Sequence, residues 1–386
     1  MKVLIVGAGP AGLYLAYLIK RHDAAMQVRL VERNEAGSTF GFGVVFSDRA
    51  LDVLRVDDPE THALIVPSMQ TWNDLALVHR GERIVIDGIG FAAIGRLQLL
   101  QLMQERLAAV GVAAEFGHEI GDPAELDGHD LVVAADGANS FVRGLQADAF
   151  GTRIEPLANR FVWYGTTQRF ETLTQTFVTT EHGSFNAHHY RYSPTMSTFI
   201  VECDPATWQR CGFAAMDEAQ TRAACERVFA PTLAGHPLVT NKSVWRQFPR
   251  LRNARWSVAR HVLVGDALRT AHFSIGSGTR LAFEDVIALA RALGEHPGRD
   301  AVPQALAAYE AARRPVVDKL TEAATTSAQW YEEFPRHMQL PPWALAWSYI
   351  QRSGRIDVER LRRVSPAFVA GYEAWADSLR RTRHST

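Results

Sequence analysis

The stretch Val3-Leu4-Ile5-Val6-Gly7-Ala8-Gly9-Pro10-Ala11-Gly12, with Glu32 downstream, constrains this chain more than any other. Val3 to Val6 is wholly apolar, as a strand buried on both faces of a parallel sheet should be. Gly7 opens a tight turn, Gly9 removes a Cβ where backbone must approach a pyrophosphate, and Gly12 lets the next helix pack close. Pro10 suits a first helical turn, where its missing N–H is not needed. The helix, expected over residues 11–21, aims its free N–H groups and positive dipole end at the phosphates. A second strand over 28–31 ends in Glu32, whose carboxylate can accept from both hydroxyls of an adenosine ribose and would repel a 2′-phosphate. The reading is an ADP-containing dinucleotide, NAD or FAD, and not NADP. A signal peptide is the competing reading, since Lys2 precedes the apolar run, but the glycines and Pro10 interrupt it and no cleavage site follows.

Bulk properties narrow the function classes. The chain has 386 residues, enough for two domains and an appendage. Its 41 basic and 42 acidic side chains leave no electrostatic footprint for nucleic acid or an anionic membrane. Cys203, Cys211 and Cys225 follow no CxxC spacing, so neither a disulfide framework nor a metal site is expected, and a reducing cytoplasm is. No apolar run is long enough to span a bilayer.

Further along, Gly37-Ser-Thr-Phe40-Gly41-Phe42-Gly43-Val-Val-Phe46 reads as a link packed against something flat or bulky, and Ser47-Asp48 as a helix cap. Residues 70–90 read as a β-hairpin turning at His79-Arg80-Gly81-Glu82. Gly95-Arg96-Leu97 opens an amphipathic helix; a cation at a helix start opposes the dipole unless an anion lies near. Leu131 to Ala135 is another buried strand, running into Asp136-Gly137-Ala-Asn-Ser140-Phe-Val-Arg143. From 160 to 255 β-branched and aromatic residues alternate, predicting an antiparallel lobe with one helix near 217–229. The α/β pattern then returns: strand 261–264, Gly265-Asp266, the loop Thr270-Ala-His272-Phe273-Ser274-Ile275-Gly276-Ser-Gly278, and a long helix. Asp266 falls at a strand's C-terminal end, where ligands sit in such sheets. Residues from 302 on are helical, with Pro315 expected to kink the first long helix and Trp343, Trp347, Ile350 and Leu361 forming a packing face.

Three glycine–acid stations thus lie in order, at 7–12 with Glu32, at Asp136-Gly137, and at Gly265-Asp266. In this arrangement the sequence resembles the single-component flavoprotein aromatic hydroxylases, the parahydroxybenzoate hydroxylase class, over residues 1–300. The resemblance implies an α/β FAD-binding Rossmann-like domain (1–72, 92–155 and 256–300), an inserted α+β substrate domain with an antiparallel sheet (73–91 and 156–255) and a helical C-terminal region (301–386). It implies non-covalent FAD, NADH or NADPH as reductant, and O₂. FAD would meet Gly7, Gly9, Pro10, Ala11, Gly12, Glu32, Arg33, Phe42, Gly43, Arg96, Asp136, Gly137, Asp266, Ser274, Ile275, Gly276 and Gly278. Arg96 beside the FAD phosphates would answer the dipole problem. Two positions depart from the class: Arg269 and Phe273 stand where a histidine and a proline are common, so the peroxide side of the flavin would rely on backbone N–H groups over 274–278. Phe42-Gly43 replaces a common arginine, leaving the NAD(P)H contact unplaced.

Within the class, the runs 159–166 and 189–202 are similar to two groups, the salicyloyl-CoA and 2-aminobenzoyl-CoA 5-hydroxylases and the violacein-pathway indole hydroxylase. Gly41 to Asp48 and His272 to Gly276 favour the aryl-CoA group. Some of those relatives carry a fused C-terminal reductase domain; with Thr386 last, none is expected here. The resemblance implies ring 5-hydroxylation of an ortho-substituted benzoyl-CoA through a C4a-hydroperoxyflavin, with hydroxylation of an indole or tryptophan-derived substrate as the alternative. The partner would be a small aromatic, as a CoA thioester, and the enzyme a cytoplasmic monomer or homodimer. Catalytic candidates are His189, Tyr190 and Trp163; substrate candidates are Tyr164, His188, Met196 and Phe273. His189 could accept a substrate proton or be an ordinary hydrogen-bonded sheet histidine. Arg246, Arg250 and Arg252, in a cluster with Arg255 and Arg260, are candidates for the CoA phosphates, against the alternative of a salt-bridged domain edge. An NAD-dependent dehydrogenase would share only the first station, a flavin halogenase would need a WxWxIP stretch that is absent, and an FAD-binding scaffold would need no aromatic pocket.

Overall fold

The computed structural model describes residues 1–384, the side chains of 48, 49, 383 and 384 excepted. Its first layer is a six-stranded sheet in the order 257–258, 261–263, 131–134, 2–6, 27–32, 115–116. Strands Lys2–Val6, Gln27–Glu32, Leu131–Ala134, Glu115–Phe116 and His261–Leu263 are parallel; only Ser257–Val258 at the edge runs antiparallel. The central strand is buried over Val3–Val6, as its apolar run requires. Helix Pro10–His22 covers one face and packs on Gly278–Glu295 and Arg96–Ala109.

The second layer is a large sheet. Its path runs Leu238–Val239, Thr152–Thr166, Ser197–Cys203, Gly183–Arg191, Leu173–Thr180, Leu75–His79, Glu82–Ile86, with Arg246–Asn253 also on Thr152–Thr166. Pairing is antiparallel except between Leu173–Thr180 and Leu75–His79. Because side chains alternate along a strand, this sheet has two distinct faces. Its back face carries Val162, Tyr164, Phe185, Ala187, Phe199 and Val201 against Cys225, Phe229 and Leu233. The front face carries Leu173, Phe177 and Tyr190 against the C-terminal helices, through Trp330, Tyr331, Phe334 and Tyr349.

Two sequence expectations need correction. The glycine-rich link contains a strand, Gly43–Ser47, in a small sheet with Phe91–Gly95 and Gln70–Trp72. Its glycines suited a loop, and the pairing that overrides them is non-local. The link does pack against flat groups: Gly41 lies under the Trp163 ring and Gly43 under Tyr192. A 3-10 turn, Asp48–Leu51, follows Ser47, but the cap expected of the Asp48 side chain lies outside the described side chains. The helix expected near 217–229 is present as Glu218–Val228, and two short helices not expected, Pro205–Arg210 and Ala230–Leu233, flank it. The first long helix, Val302–Glu332, carries Pro315 in its interior, as expected. No helix among the described residues is long and apolar enough to cross a membrane.

Candidate active site

The first station is built by backbone crowding. Gly7 has φ 103°, and a side chain on it would overlap the Ala135 carbonyl; one on Gly12 would overlap the Gly7 carbonyl. Around Gly9, by contrast, no atom lies within 4 Å of where a Cβ would project. The turn is thus closed on its inner side and open where a pyrophosphate would approach. Glu32 Oε2 accepts from Ala8 N–H at 2.9 Å and Oε1 from Asn34 N–H at 3.0 Å, so the ribose-reading carboxylate also braces the turn. Arg33 is exposed, with its guanidinium 3.9 Å from Glu119.

At the second station, Asp136 Oδ2 accepts from Phe141 N–H at 2.7 Å, while Oδ1 is buried without a partner. Burial pushes its carboxyl above the usual carboxylate range. Gly137 has φ 79° with open space beside it. Ser140 caps the short helix Phe141–Gly144 by accepting from Arg143 N–H. Buried Arg143 donates to the Ala138 carbonyl at 2.6 Å and to the Ala267 carbonyl at 2.9 Å, tying the second station to the third.

The third station sits at the end of His261–Leu263. Gly265 takes φ 57°, and Asp266 stands exposed on the turn it opens. Arg96 opens the helix after Gly95 and is fixed by its own N–H donating to the Phe42 carbonyl at 2.7 Å. Surrounding protein raises the Asp266 carboxyl and lowers the Arg96 guanidinium, each partly offset by the other's charge. Among the described residues Arg96 forms no ion pair. A cation at a helix start, an open glycine turn and a lone acid across a crevice are what a diphosphate and ribityl chain require, so the residues present fit FAD. Phe42 fills the space beside Gly165.

Arg269, a departure from the class, turns away from this crevice. Its guanidinium meets buried Asp285 at 2.6 Å, and Asp285 also accepts from Arg313 at 3.2 Å. Phe273, the other departure, joins an aromatic group with Phe161 at 5.1 Å, His272 at 4.2 Å and Phe248 at 6.1 Å between ring centroids. The N–H groups of Ile275 and Gly276 donate to the His272 and Phe273 carbonyls, and that of Ser274 to His272 Nδ1. Three of the five N–H groups expected on the peroxide side of the flavin are thus engaged within the loop and hold its shape. Gly276 has φ 58°, and Gly278 begins the long helix, whose first N–H groups lack intrahelical acceptors.

A small cavity of about 10 Å³, room for one water, lies where loop, sheet and C-terminal helices meet. His188, Phe273, Leu173, Val45, Tyr349 and Arg352 line it. Of the substrate candidates, His188 and Phe273 are therefore together. Tyr190 is on the same face but donates to the Gly43 carbonyl at 3.0 Å, a structural bond. Trp163 stacks over Gly41, with Nε1 buried and unpartnered. Tyr164 and His189 are corrections: both point to the back face. His189 bonds the Thr176 hydroxyl at 2.9 Å and stacks on Phe199 at 5.2 Å, while Tyr164 sits in the core beside Cys225 and Phe229. Neighbours along a strand cannot share a face, so a pocket holding His188 excludes His189. Met196 lies at the 192–196 turn, its carbonyl accepting from Tyr192 N–H. Arg250 pairs with Glu155, Arg252 donates to Thr325 Oγ1 at 2.7 Å, Arg246 is exposed, and Arg260 pairs with Asp127 at the far sheet edge. Arg260 thus leaves the cluster that the sequence suggested.

Sequence reasoning missed Arg352, Tyr349, Val45 and Leu173. Arg352 follows the helix Pro342–Gln351 in no motif, and only the packing of that helix against the sheet reveals it.

Residues 1–324 match the family model described as FAD binding domain. Salicyloyl-CoA 5-hydroxylase of Streptomyces sp is 43% identical over 97% of this chain and 74% of that protein. The 3-hydroxy-4-methyl-anthranilyl-(aryl-carrier protein) 5-monooxygenase of Streptosporangium sibiricum is 37% identical over 87% of this chain and 90% of that protein. Protodeoxyviolaceinate monooxygenase of Chromobacterium violaceum is 34% identical over 88% and 91%. In fold, the chain is similar to 2-methyl-3-hydroxypyridine-5-carboxylic acid oxygenase, with TM-score 0.72 at 17% identity, covering 91% of this chain and 95% of that one. An open glycine turn, two further acid stations and a match spanning most of the sequence agree, and the chain belongs to the FAD-binding aromatic monooxygenases.

Proposed function

We propose that this monooxygenase hydroxylates the ring of an ortho-substituted benzoyl thioester, with 2-hydroxybenzoyl-CoA, hydroxylated at position 5, as its substrate. The observation that carries the reading is 43% identity to salicyloyl-CoA 5-hydroxylase over 97% of the chain. A second relative acts on an anthranilyl group carried by a protein, which shares the ortho-substituted aroyl unit. NADH or NADPH is the reductant and O₂ the oxidant. Bound FAD would supply oxygen activation and an electrophilic oxygen atom. The groups assigned to hold it are Gly9, Glu32, Arg96, Asp136 and Asp266. This chain's own work is to exclude water and position the ring. Phe273, Leu173 and Tyr349 give the ring an apolar enclosure, and an ortho oxygen or nitrogen directs attack to the carbon para to itself. Burial lowers His188 to about 3, so its imidazole stays neutral near pH 7 and offers the substrate one hydrogen-bond donor and one acceptor.

Arg246, Arg250 and Arg252 lie on one strand, with Arg246 exposed and Arg250 paired with Glu155; in this reading they receive the CoA phosphates, Arg250 by exchanging Glu155 for a phosphate. The test is NAD(P)H oxidation by purified protein with salicyloyl-CoA, 2-aminobenzoyl-CoA, the free acids and tryptophan. Substrate-dependent oxidation with the CoA esters is expected. Neutral changes at the three arginines should raise KM for the ester, less so at high salt, and leave an aryl-pantetheine unaffected. Better turnover of an indole than of any ester would favour the second reading, which rests on the 34% identity to protodeoxyviolaceinate monooxygenase.

A further inference from the structure

The front face of the large sheet buries polar atoms that the protein leaves without partners. Both amide atoms of Gln175 are buried and unbonded, as are both ring nitrogens of His188. These two residues are direct partners in the register of neighbouring strands, so their side chains lie side by side. Arg352 lines the same cavity as His188, and Gln175 adjoins that cavity through His188. Arg352 Nη1 donates to the Tyr349 carbonyl at 2.9 Å and Nη2 to the Ser274 carbonyl at 2.8 Å, and Nε is buried without an acceptor. A buried polar atom without a partner costs stability, and proteins keep one where a ligand or a reaction needs it. Apolar side chains at 175 and 188 would pack this face at no such cost, since their neighbours Leu77, Leu173 and Ile200 are apolar.

We propose that Gln175, His188 and Arg352 are the specificity-determining set, which reads the ortho substituent and the carbonyl oxygen of the aromatic substrate. The proposal rests on the aryl thioester reading above and deepens it. Arg352 can only donate; a neutral imidazole donates once and accepts once; an amide does both. A 2-hydroxyaroyl unit presents the complement, one hydroxyl that donates and accepts and one carbonyl that accepts. The cavity holds about one water, so an entering ring must displace part of its wall. Separating Arg352 from the Ser274 carbonyl opens the pocket and frees the donor that the substrate oxygen then meets. A benzoyl unit lacking the hydroxyl would leave the same atoms orphaned, and sites built to bond a hydroxyl reject its absence strongly.

The experiment compares 2-hydroxybenzoyl-CoA with benzoyl-CoA in wild type, Gln175→Leu, Arg352→Met and Arg352→Lys. Two quantities are read: the kcat/KM ratio from substrate-dependent NAD(P)H oxidation, and the melting temperature of the FAD-loaded protein. Wild type should prefer the hydroxylated ring by about 100-fold or more. Gln175→Leu and Arg352→Met should each reduce that preference about tenfold or more, by loss on the hydroxylated ester, and Arg352→Lys should restore part of it. Gln175→Leu should melt no lower than wild type, because it removes an unbonded amide. An unchanged ratio in the variants of an enzyme that uses the hydroxylated ester overturns this proposal and leaves the thioester reading standing. A Gln175→Leu variant that melts several degrees lower makes Gln175 structural, and also overturns it. Wild type that accepts neither ester removes the thioester reading and this proposal with it. Should Arg352→Met fail to fold, the ratio in Arg352→Lys and Gln175→Leu decides alone.

Discussion

His188 and His189 are adjacent on one strand and meet opposite fates. On the back face, His189 is bonded to Thr176, stacked on Phe199 and packed 3.9 Å from the Phe170 ring centroid. On the front face, His188 has no bonded partner and lines the cavity. Burial depresses both imidazoles, so charge does not separate them. What separates them is that the protein bonds one ring nitrogen of His189, at Thr176, and neither of His188. The back face is a core that stabilises the sheet; the front face is a surface whose bonding is left to a ligand and whose far side is closed by helices.

Disrupting the back face should show the largest effect. Phe199→Ala removes a fully buried ring that contacts Phe229 and His189, and should destabilise the protein by roughly 3–5 kcal/mol. Denaturant titration measures it, and the folded fraction should bind FAD as wild type does. A crevice residue should do the reverse. Asp266→Ala should cost about 1.5–3 kcal/mol of FAD affinity, the worth of a hydrogen bond to a charged group, with an unchanged circular dichroism spectrum. Arg96→Ala and Glu32→Ala should weaken FAD similarly in equilibrium titration; wild-type affinity in any of these variants would take that residue out of the site.

The histidine pair tests the comparison directly. His189→Phe should cost about 1 kcal/mol in stability, from the Thr176 hydroxyl left alone, and leave turnover nearly as it was. His188→Phe should cost little stability and most of the turnover. Equal losses of kcat in the two variants would erase the distinction between the faces.

The smallest effect is a pH dependence set by buried titratable groups. Glu202 Oε1 accepts from Asn159 Nδ2 at 2.8 Å, Oε2 is unpartnered, and burial pushes the carboxyl up to about 8. A carboxyl raised in the folded state contributes stability that is complete below its ordinary value and lost as pH rises through 8. His188 and His272, each lowered to about 3, act oppositely: their contribution is present above 6.5 and lost as pH falls toward 3. The Glu202 loss therefore runs from about 4.5 to 8 and the histidine loss from 6.5 down to 3, so the melting temperature should peak between about 4.5 and 6.5 and fall toward 8 and toward 3. Glu202→Gln should flatten the decline toward pH 8 and leave the acid one; an unchanged decline toward 8 would clear Glu202 of the effect.

The sequence carried the flavin side of the molecule better than the substrate side, for a physical reason. Gly7, Gly12 and Gly265 answer to local backbone crowding and positive φ, which glycine in a fixed spacing advertises. The strand 131–134 and the hairpin turn, where Arg80 and Gly81 take positive φ, were equally local signals. The strand Gly43–Ser47 was not, since its partner lies at Phe91–Gly95. The pocket was harder still. Arg352 and Gln175 come from elements nearly 180 residues apart, and nothing in their neighbours' spacing links them. Both His188 and His189 were expected at the pocket, although alternation along a strand points them apart; nothing local says which of them faces the flavin domain.

The bond between Arg269 and Asp285 bears on how this chain can be redesigned or can drift. Exchanging Arg269 for the histidine common in its class would strip Asp285 of its 2.6 Å partner while the carboxylate stays fully enclosed. Breaking one half of such a pair costs on the order of 3–5 kcal/mol, whereas replacing both halves together can be neutral. Arg313 would then hold Asp285 alone, with Glu284 competing for the same guanidinium at 2.8 Å. A substitution copied from a relative at position 269 is thus a step off a ridge unless 285 moves with it. The two positions form a unit of inheritance, and a lineage could cross between the two versions only through a weakened intermediate.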